Sequence, residues 1–284
     1  MWVIYTIAST LLLSLSTVFA KCGSRRADAS VITTLRTLIT TACMWAFILI
    51  NNVNVHFPAL NSKSFLYLII SGIIMTGALY CYHISLKNGD VTRVSALEKL
   101  STVLFIIASI FLYKQTSLYY IRIICTVLIA VGIIIVVTKK SRSSAQWLLF
   151  GIISAICVTV TYILATTNIY LGSNLLTLTF LMTISLILSL VIMFIRGIQK
   201  GISRIPFSEI MFIILSGLSA GAAWYCFRTA YYIGNTNTVI AITSMTVATS
   251  ATLAALFLKD KVSWKSICGI LFIITGILMY IFMI

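Results

Sequence analysis

Apolar residues run along this chain in blocks, not in alternation. Nearly uncharged stretches of about 17–25 residues, the length that crosses a bilayer, recur from end to end. The first five are Met1–Ala20, Ser30–Ile50 (broken only by Arg36), Ser64–Leu86, Val91–Tyr113 and Leu118–Thr138. Val91–Tyr113 carries Arg93 near its entry and Glu98 and Lys99 further in. From Ser143 to Ile195 no charge appears over 53 residues, too long for one crossing of about 30 Å at about 1.5 Å per residue. The turn signal Gly172-Ser173-Asn174 divides that run into two. Phe207–Ile233, Thr236–Leu258 and Val262–Ile284 bring the prediction to ten helices with short loops and no room for a soluble domain.

A membrane barrel would instead alternate apolar and polar residues over about 10 positions, unlike Ile133-Ile134-Ile135-Val136-Val137. The first block imitates a secretory signal ending near Phe19-Ala20, but it lacks a basic leading region. Lys21 before Cys22 does not resemble a lipoprotein cleavage site, so the block is expected to stay as the first helix.

Composition agrees. The chain is 61% hydrophobic and 9% charged, with a mean hydropathy of +1.11, where soluble domains carry roughly 25% charged residues. Its net charge of +15 and pI of about 9.7 raise the question of nucleic acid, but the basic residues form no single patch or helix face.

Sliding the sequence by 145 residues exposes a repeat. Ser71-Gly72 falls on Ser216-Gly217, Ala78 on Ala223, and Tyr80-Cys81 on Tyr225-Cys226. The register continues without a gap through Gly89/Gly234, Val94/Val239, Ala96/Ala241 and Lys114/Lys259, and also pairs Trp2 with Trp147. The expected organisation is a first five-helix repeat over 1–138, a basic linker at 139–144 and a second repeat over 145–284.

Five is odd, so two such halves must insert in opposite senses. Loops after helices one, three, five, seven and nine hold Lys21, Arg25, Arg26; Lys87, Arg93; Lys139, Lys140, Arg142; Arg196, Lys200, Arg204; and Lys259, Lys261, Lys265. The other face has only Lys63 and Lys114, with Arg122 just inside helix five. Under the positive-inside rule this asymmetry predicts two inverted five-helix repeats, basic loops in the cytoplasm, both termini outside, and a multi-pass protein of the plasma (cytoplasmic) membrane.

These features resemble the EamA-type proteins of the drug/metabolite transporter superfamily. Arg36 in Thr33-Thr34-Leu35-Arg36 stands where that family's second helix carries an Arg, and Ala96-Leu97-Glu98-Lys99-Leu100-Ser101 is similar to the acidic-Lys-Leu-Ser start of its helix four. Each half ends in a loop and a Gly-containing apolar helix, Lys114–Val137 and Lys259–Ile284. The chain departs from the pattern in having Gln115 and Asp260 where the family usually has Glu, and no helix-four Pro. The resemblance implies a secondary transporter, often an exporter, without naming its cargo.

Charges within spans cost about 2.5–3.5 kcal/mol each on insertion scales, which singles out Arg36, Glu98, Lys99 and Arg228. Glu98 is the carboxylate furthest inside a span, suited to proton exchange or to a substrate amine; the competing reading pairs it with Arg36 to fix packing. Lys99 either contacts substrate or snorkels to the surface. On helix eight Trp224, Arg228 and Tyr231 share a face, and Arg228 falls at the position of His83 in the first half, beside Tyr80. Arg228 suits a carboxylate or phosphate, while Tyr80, Tyr225 and Trp224 suit an organic ligand or an interfacial aromatic belt. Hydroxyl stripes such as Thr10, Ser14, Thr17 favour helix packing over a polar cavity lining.

Seven scattered cysteines make no CxxC or Cys/His cluster, so neither metal nor disulfide framework is expected. There is no GxxxxGKS loop and no nucleophile–base set, so no cofactor and no enzyme activity are expected. The leading expectation is an alternating-access secondary transporter of small organic metabolites, amino-acid or drug-like, proton-coupled and exporting. An exchanger of phosphorylated or anionic solutes and a non-transporting membrane scaffold remain open. Two repeats in one chain make a monomer sufficient.

Overall fold

The computed structural model describes residues 1–51, 62–113, 119–138, 145–168, 174–198, 202, 205–234, 239, 242–260 and 263–283. The linker at 139–144, Gly172 and Ser173, Asn235, and the basic residues Lys114, Lys139, Lys140, Arg142, Lys200, Arg204 and Lys261 lie outside the described residues.

Among the described residues the regular structure is entirely helical. In chain order the helices are α1 (Trp2–Cys22), α2 (Ala29–Ile50), α3 (Ser62–Asn88), α4 (Val91–Glu98), α5 (Leu100–Tyr113) and α6 (Tyr119–Val137). They continue with α7 (Gln146–Asn168), α8 (Asn174–Ile195), α9 (Phe207–Ile233), α10 (Thr246–Phe257) and α11 (Trp264–Met283). Seven of them, α1, α2, α3, α6, α8, α9 and α11, are long and apolar enough to cross a membrane. The expected fourth span is two helices, broken at Lys99, whose N–H bonds to the Ala96 carbonyl at 3.1 Å. The ninth is interrupted in the same way at Met245, whose N–H reaches the Ile242 carbonyl at 3.1 Å.

Helices pack mainly across the middle of the sequence: α1 on α9, α3 on α7, α6 on α11, α2 on α8 and α9, and α10 on α1 and α4. Small residues set the approach. A Cβ on Gly132 would lie 2.6 Å from the Gly269 carbonyl, and one on Gly269 2.8 Å from the Gly132 carbonyl, so α6 and α11 meet backbone to backbone, as small residues allow in membranes. Gly217 would meet Ile39 and Gly72 would meet Ile184; Gly234 faces Trp2 and Gly89 faces Trp147. Gly72 and Gly217, Ile39 and Ile184, Gly89 and Gly234, and Trp2 and Trp147 each stand 145 positions apart.

Interhelical hydrogen bonds recur at that spacing. Ser9 donates to the Ala223 carbonyl at 3.0 Å and Ser154 to the Ala78 carbonyl at 2.9 Å. Thr40 donates to Gly217 O at 3.1 Å and Ser185 to Gly72 O at 3.2 Å. Ser14 donates to Thr246 O at 3.4 Å and Thr159 to Ser101 O at 3.3 Å. The packing role expected for the hydroxyl stripes is therefore realised at these positions.

Basic residues tie one end of the bundle together. Lys21 Nζ donates to the carbonyls of Leu86, Lys87 and Gly89 at 2.7, 2.9 and 2.9 Å, satisfying the C-terminus of α3 as a cation does best. Lys87 Nζ reaches Ala27 O at 2.7 Å. Arg93 donates to Val137 O at 2.7 Å, lies 4.3 Å over the Trp147 ring and stands 3.7 Å from Asp90. Asp28 caps α2, accepting from the Ser30 N–H at 2.9 Å and its hydroxyl at 2.7 Å. Burial works against the Asp28 charge, but the two Ser30 bonds, then Lys87 and Arg196, hold its carboxyl below the usual aspartate value.

Candidate functional site

Near this basic end, four helices bring polar groups to one depth. Ser16, Arg36 and His83 lie six, seven and five residues from the nearest ends of α1, α2 and α3, which is about 7–11 Å along each axis, and Glu98, the last residue of α4, lies seven residues from that helix's start. Arg36 Nη1 donates to His83 Nε2 at 3.2 Å, and Arg36 Nη2 donates to Ser16 Oγ at 2.9 Å. Ser16 in turn donates to Ser216 O at 2.8 Å, while Ser216 donates back to Ser16 O at 2.7 Å. His83 is 1% exposed, and its Nδ1 lies 2.9 Å from the Thr33 hydroxyl. Tyr82 donates to Thr17 Oγ1 at 3.3 Å.

These bonds assign the imidazole proton. Arg has donors only, so His83 Nε2 must present its lone pair. The Thr33 hydroxyl hydrogen is directed to Ala29 O at 2.7 Å, so the Thr33 oxygen accepts and His83 Nδ1 carries the hydrogen. The Nε position of Arg36 is buried without a hydrogen-bond partner among the described residues.

Glu98 stands at the end of α4, exposed rather than packed away, and within electrostatic range of Arg36 and Tyr82. Among the described residues it forms no ion pair within 4.0 Å, and the backbone break beside it is closed by Ser101 donating to its carbonyl at 2.7 Å. Neither the Arg36–Glu98 pair nor a deeply buried carboxyl is present in this geometry. The reason is the turn at Lys99, which ends the helix at Glu98; Lys99 itself is half-buried at the cap.

The other sequence candidates lie elsewhere. Tyr80 pairs with Arg196: its hydroxyl takes a hydrogen bond from that residue, whose guanidinium lies 5.5 Å over the ring. Tyr225 stacks on Phe47 with centroids 4.3 Å apart and donates to Asn51 Oδ1 at 3.2 Å. Trp224 packs with Met44, Ile48 and Leu176. Arg228 is 12 residues beyond Ser216 on α9, about 18 Å along the axis, with its guanidinium 6.0 Å from the Phe227 ring. Arg36 and His83 are thus brought together with Glu98 nearby, while Arg228, Trp224 and Tyr225 belong to the opposite end. Ser16, Thr33 and Ser216 are site members that sequence reading missed; the signal available was Arg36 at i, i+3 from Thr33 on one helix face.

No group of three or more His, Cys, Asp or Glu residues suited to a metal occurs among the described residues. The fold and site define a polytopic helical membrane protein with charged groups held between its helices. A model of the EamA-like transporter family matches residues 1–138 and again 145–282, and the chain belongs to that family. A protein of Sinorhizobium sp. described as an uncharacterized transporter in the cobO 3′ region is 27% identical over 118 residues, covering 41% of this chain and 84% of that one. One crystal structure shares the fold, with a TM-score of 0.66 and 17% identity over 96% of this chain and 94% of the other. The protein is an integral multi-pass membrane transporter of the drug/metabolite type.

Proposed function

We propose that this protein is a secondary active transporter of small organic metabolites, working by alternating access with proton coupling, in the direction of export. Ten crossings form two oppositely inserted halves, 1–138 and 145–284, with basic loops in the cytoplasm and both termini outside. The paired hydrogen bonds and glycine contacts 145 residues apart support this arrangement, as do helix interruptions at Lys99 and Met245, because broken helices at corresponding positions mark binding sites in carriers built from repeats. The observation that carries the functional reading is Glu98, an exposed carboxylate with no ion-pair partner among the described residues, within electrostatic range of the Arg36–His83 pair. Glu98 takes the coupling proton or the substrate's amine, and Arg36 takes an anionic group.

A second reading, exchange of anionic or phosphorylated solutes, is favoured by the Arg36 guanidinium, which has no carboxylate within 4.0 Å among the described residues and presents a geometry that anions bind well. Flux of radiolabelled amino acids and organic phosphates in proteoliposomes, with and without a pH gradient, separates the readings. Gradient-driven flux of wild type that is lost in Glu98→Gln is the expected result. Equal flux in both proteins regardless of the gradient rejects proton coupling through Glu98.

A further inference from the structure

The Arg36–His83 hydrogen bond has a direction, and the one lone pair of the ring that a proton could take is the one that accepts it. His83 Nδ1–H is spent on Thr33, whose own hydrogen goes to Ala29 O, and Nε2 is the acceptor for Arg36. A proton taken from water by Nε2 turns that acceptor into a donor. Arg36 Nη1 and His83 Nε2 then face each other as N–H against N–H, both cationic, and the bond cannot survive. The charged and titratable groups facing this spot are Arg36 from α2, Glu98 from α4 and Tyr82 from α3 itself. α1 and α9 contribute the hydroxyls of Ser16 and Ser216. Cys157 of α7 and Arg196, just beyond α8, meet α3 at Cys81 and Tyr80 instead.

We propose that His83 is a positioning residue for Arg36: unprotonated, it holds the guanidinium on the α3 side, and protonated at Nε2 it releases the guanidinium to Glu98. The step conserves charge and atoms; one proton moves from water to Nε2, one N–H···N bond breaks and a guanidinium–carboxylate pair forms. Thr33 fixes the ring so that Nε2, and not Nδ1, is the titrating atom. The same Thr33 walls a small recess with Ser30, Thr34, Thr76, Tyr80, Ser189 and Ile192, with room for about one water. The proposal rests on the transport reading for its purpose but not for its test.

The chain has two histidines, so His56→Gln leaves one imidazole. Nitrogen NMR of the ¹⁵N-His, ¹⁵N-Arg protein with that substitution, in lipid bilayers taken stepwise from neutral to strongly acid pH, should show the Nδ1–H tautomer on the alkaline side. On acidification the imidazolium signal and a shift of the Arg36 guanidinium should appear together. In Glu98→Gln the imidazolium should still form while the Arg36 shift is lost. His83→Gln keeps an acceptor and a donor but does not titrate, and should leave the Arg36 signal flat with pH. If that variant does not fold, Thr33→Val serves: the single Nδ1–H tautomer should give way to a mixture. An Nε2–H tautomer in the His56→Gln protein, or an Arg36 signal indifferent to His83 protonation, overturns the proposal. Absence of solute flux with the NMR behaviour intact would instead overturn the transport reading alone.

Discussion

The Arg36 neighbourhood and the residues 145 positions later use one scaffold for different ends. Ser16, Thr33, Arg36 and His83 correspond by that spacing to Thr161, Leu178, Leu181 and Arg228. In the first set a guanidinium, an imidazole and two hydroxyls are joined by hydrogen bonds. In the second, Leu181 is 5% exposed and packs with Leu68, Phe180 and Ile184, and Leu178 packs against the Met44–Ile48 cluster. Yet Gly72 and Gly217, Ser9 and Ser154, and Trp2 and Trp147 do the same work on both sides. Packing has kept its symmetry, while the positions of Thr33 and Arg36 have become apolar in the second half.

The sharpest way to break this comparison is to give the first half the residue of the second. Arg36→Leu removes charged hydrogen bonds worth about 1.5–3 kcal/mol each, and solute flux should fall on the order of 10- to 100-fold in proteoliposomes while the fold is retained. The reverse change, Leu181→Arg, should give no compensating activity and a lowered unfolding midpoint. The shared part of the scaffold should respond evenly: Gly72→Val and Gly217→Val each force a side chain against an isoleucine and should cost about 1–3 kcal/mol by overpacking. Tm measured by fluorescence in detergent checks this, and a large loss in only one variant would end the idea of equivalent contacts.

Smaller effects sharpen it. Lys21 has Thr166 as its counterpart, so its clamp on α3 belongs to one half only. Lys21→Met should lower stability by about 1.5 kcal/mol, read from the unfolding midpoint. The least effect is expected at Asp28. Its carboxyl is held below the usual aspartate value, so its charge contributes stability above the unfolded-chain value and loses it as pH falls through the folded value. Asp28→Asn keeps the cap; it should be slightly less stable than wild type at neutral pH and indistinguishable from it in acid.

Much of the fold was legible because membrane helices declare themselves by unbroken apolar length, and the third helix differs from its expected range by only two residues at each end. The break at Lys99 was not, since Ala96–Ser101 contains no Gly or Pro and Ala, Leu, Glu and Lys are good helix formers. That single turn decides whether Glu98 is enclosed or open. Arg36 and Glu98 stood out by the cost of charge in lipid, whereas the bond from Arg36 to His83, 47 residues away, depends on how α2 lies on α3. Tyr80 shares its helix with His83 but sits three residues earlier, and its partner Arg196 comes from the turn just after α8. The sequence spacing that grouped Tyr80 with the site could not show which neighbouring helix it would meet.

The pairing of α1 with α9 also has a consequence in time. Ser9 and Ser16 find their acceptors 214 and 200 residues later in the chain, which at about 5–20 residues per second of synthesis is on the order of 10–40 s. Until then α1 must wait in lipid with polar side chains and no partner. Thr6, Thr10, Ser14 and Thr17 meet that interval by donating to carbonyls four residues back, at 2.8, 2.9, 2.9 and 3.1 Å. The hydroxyls that line this helix therefore serve it twice, first as a nascent segment that can stand alone in the membrane, and later as the surface on which the second half docks.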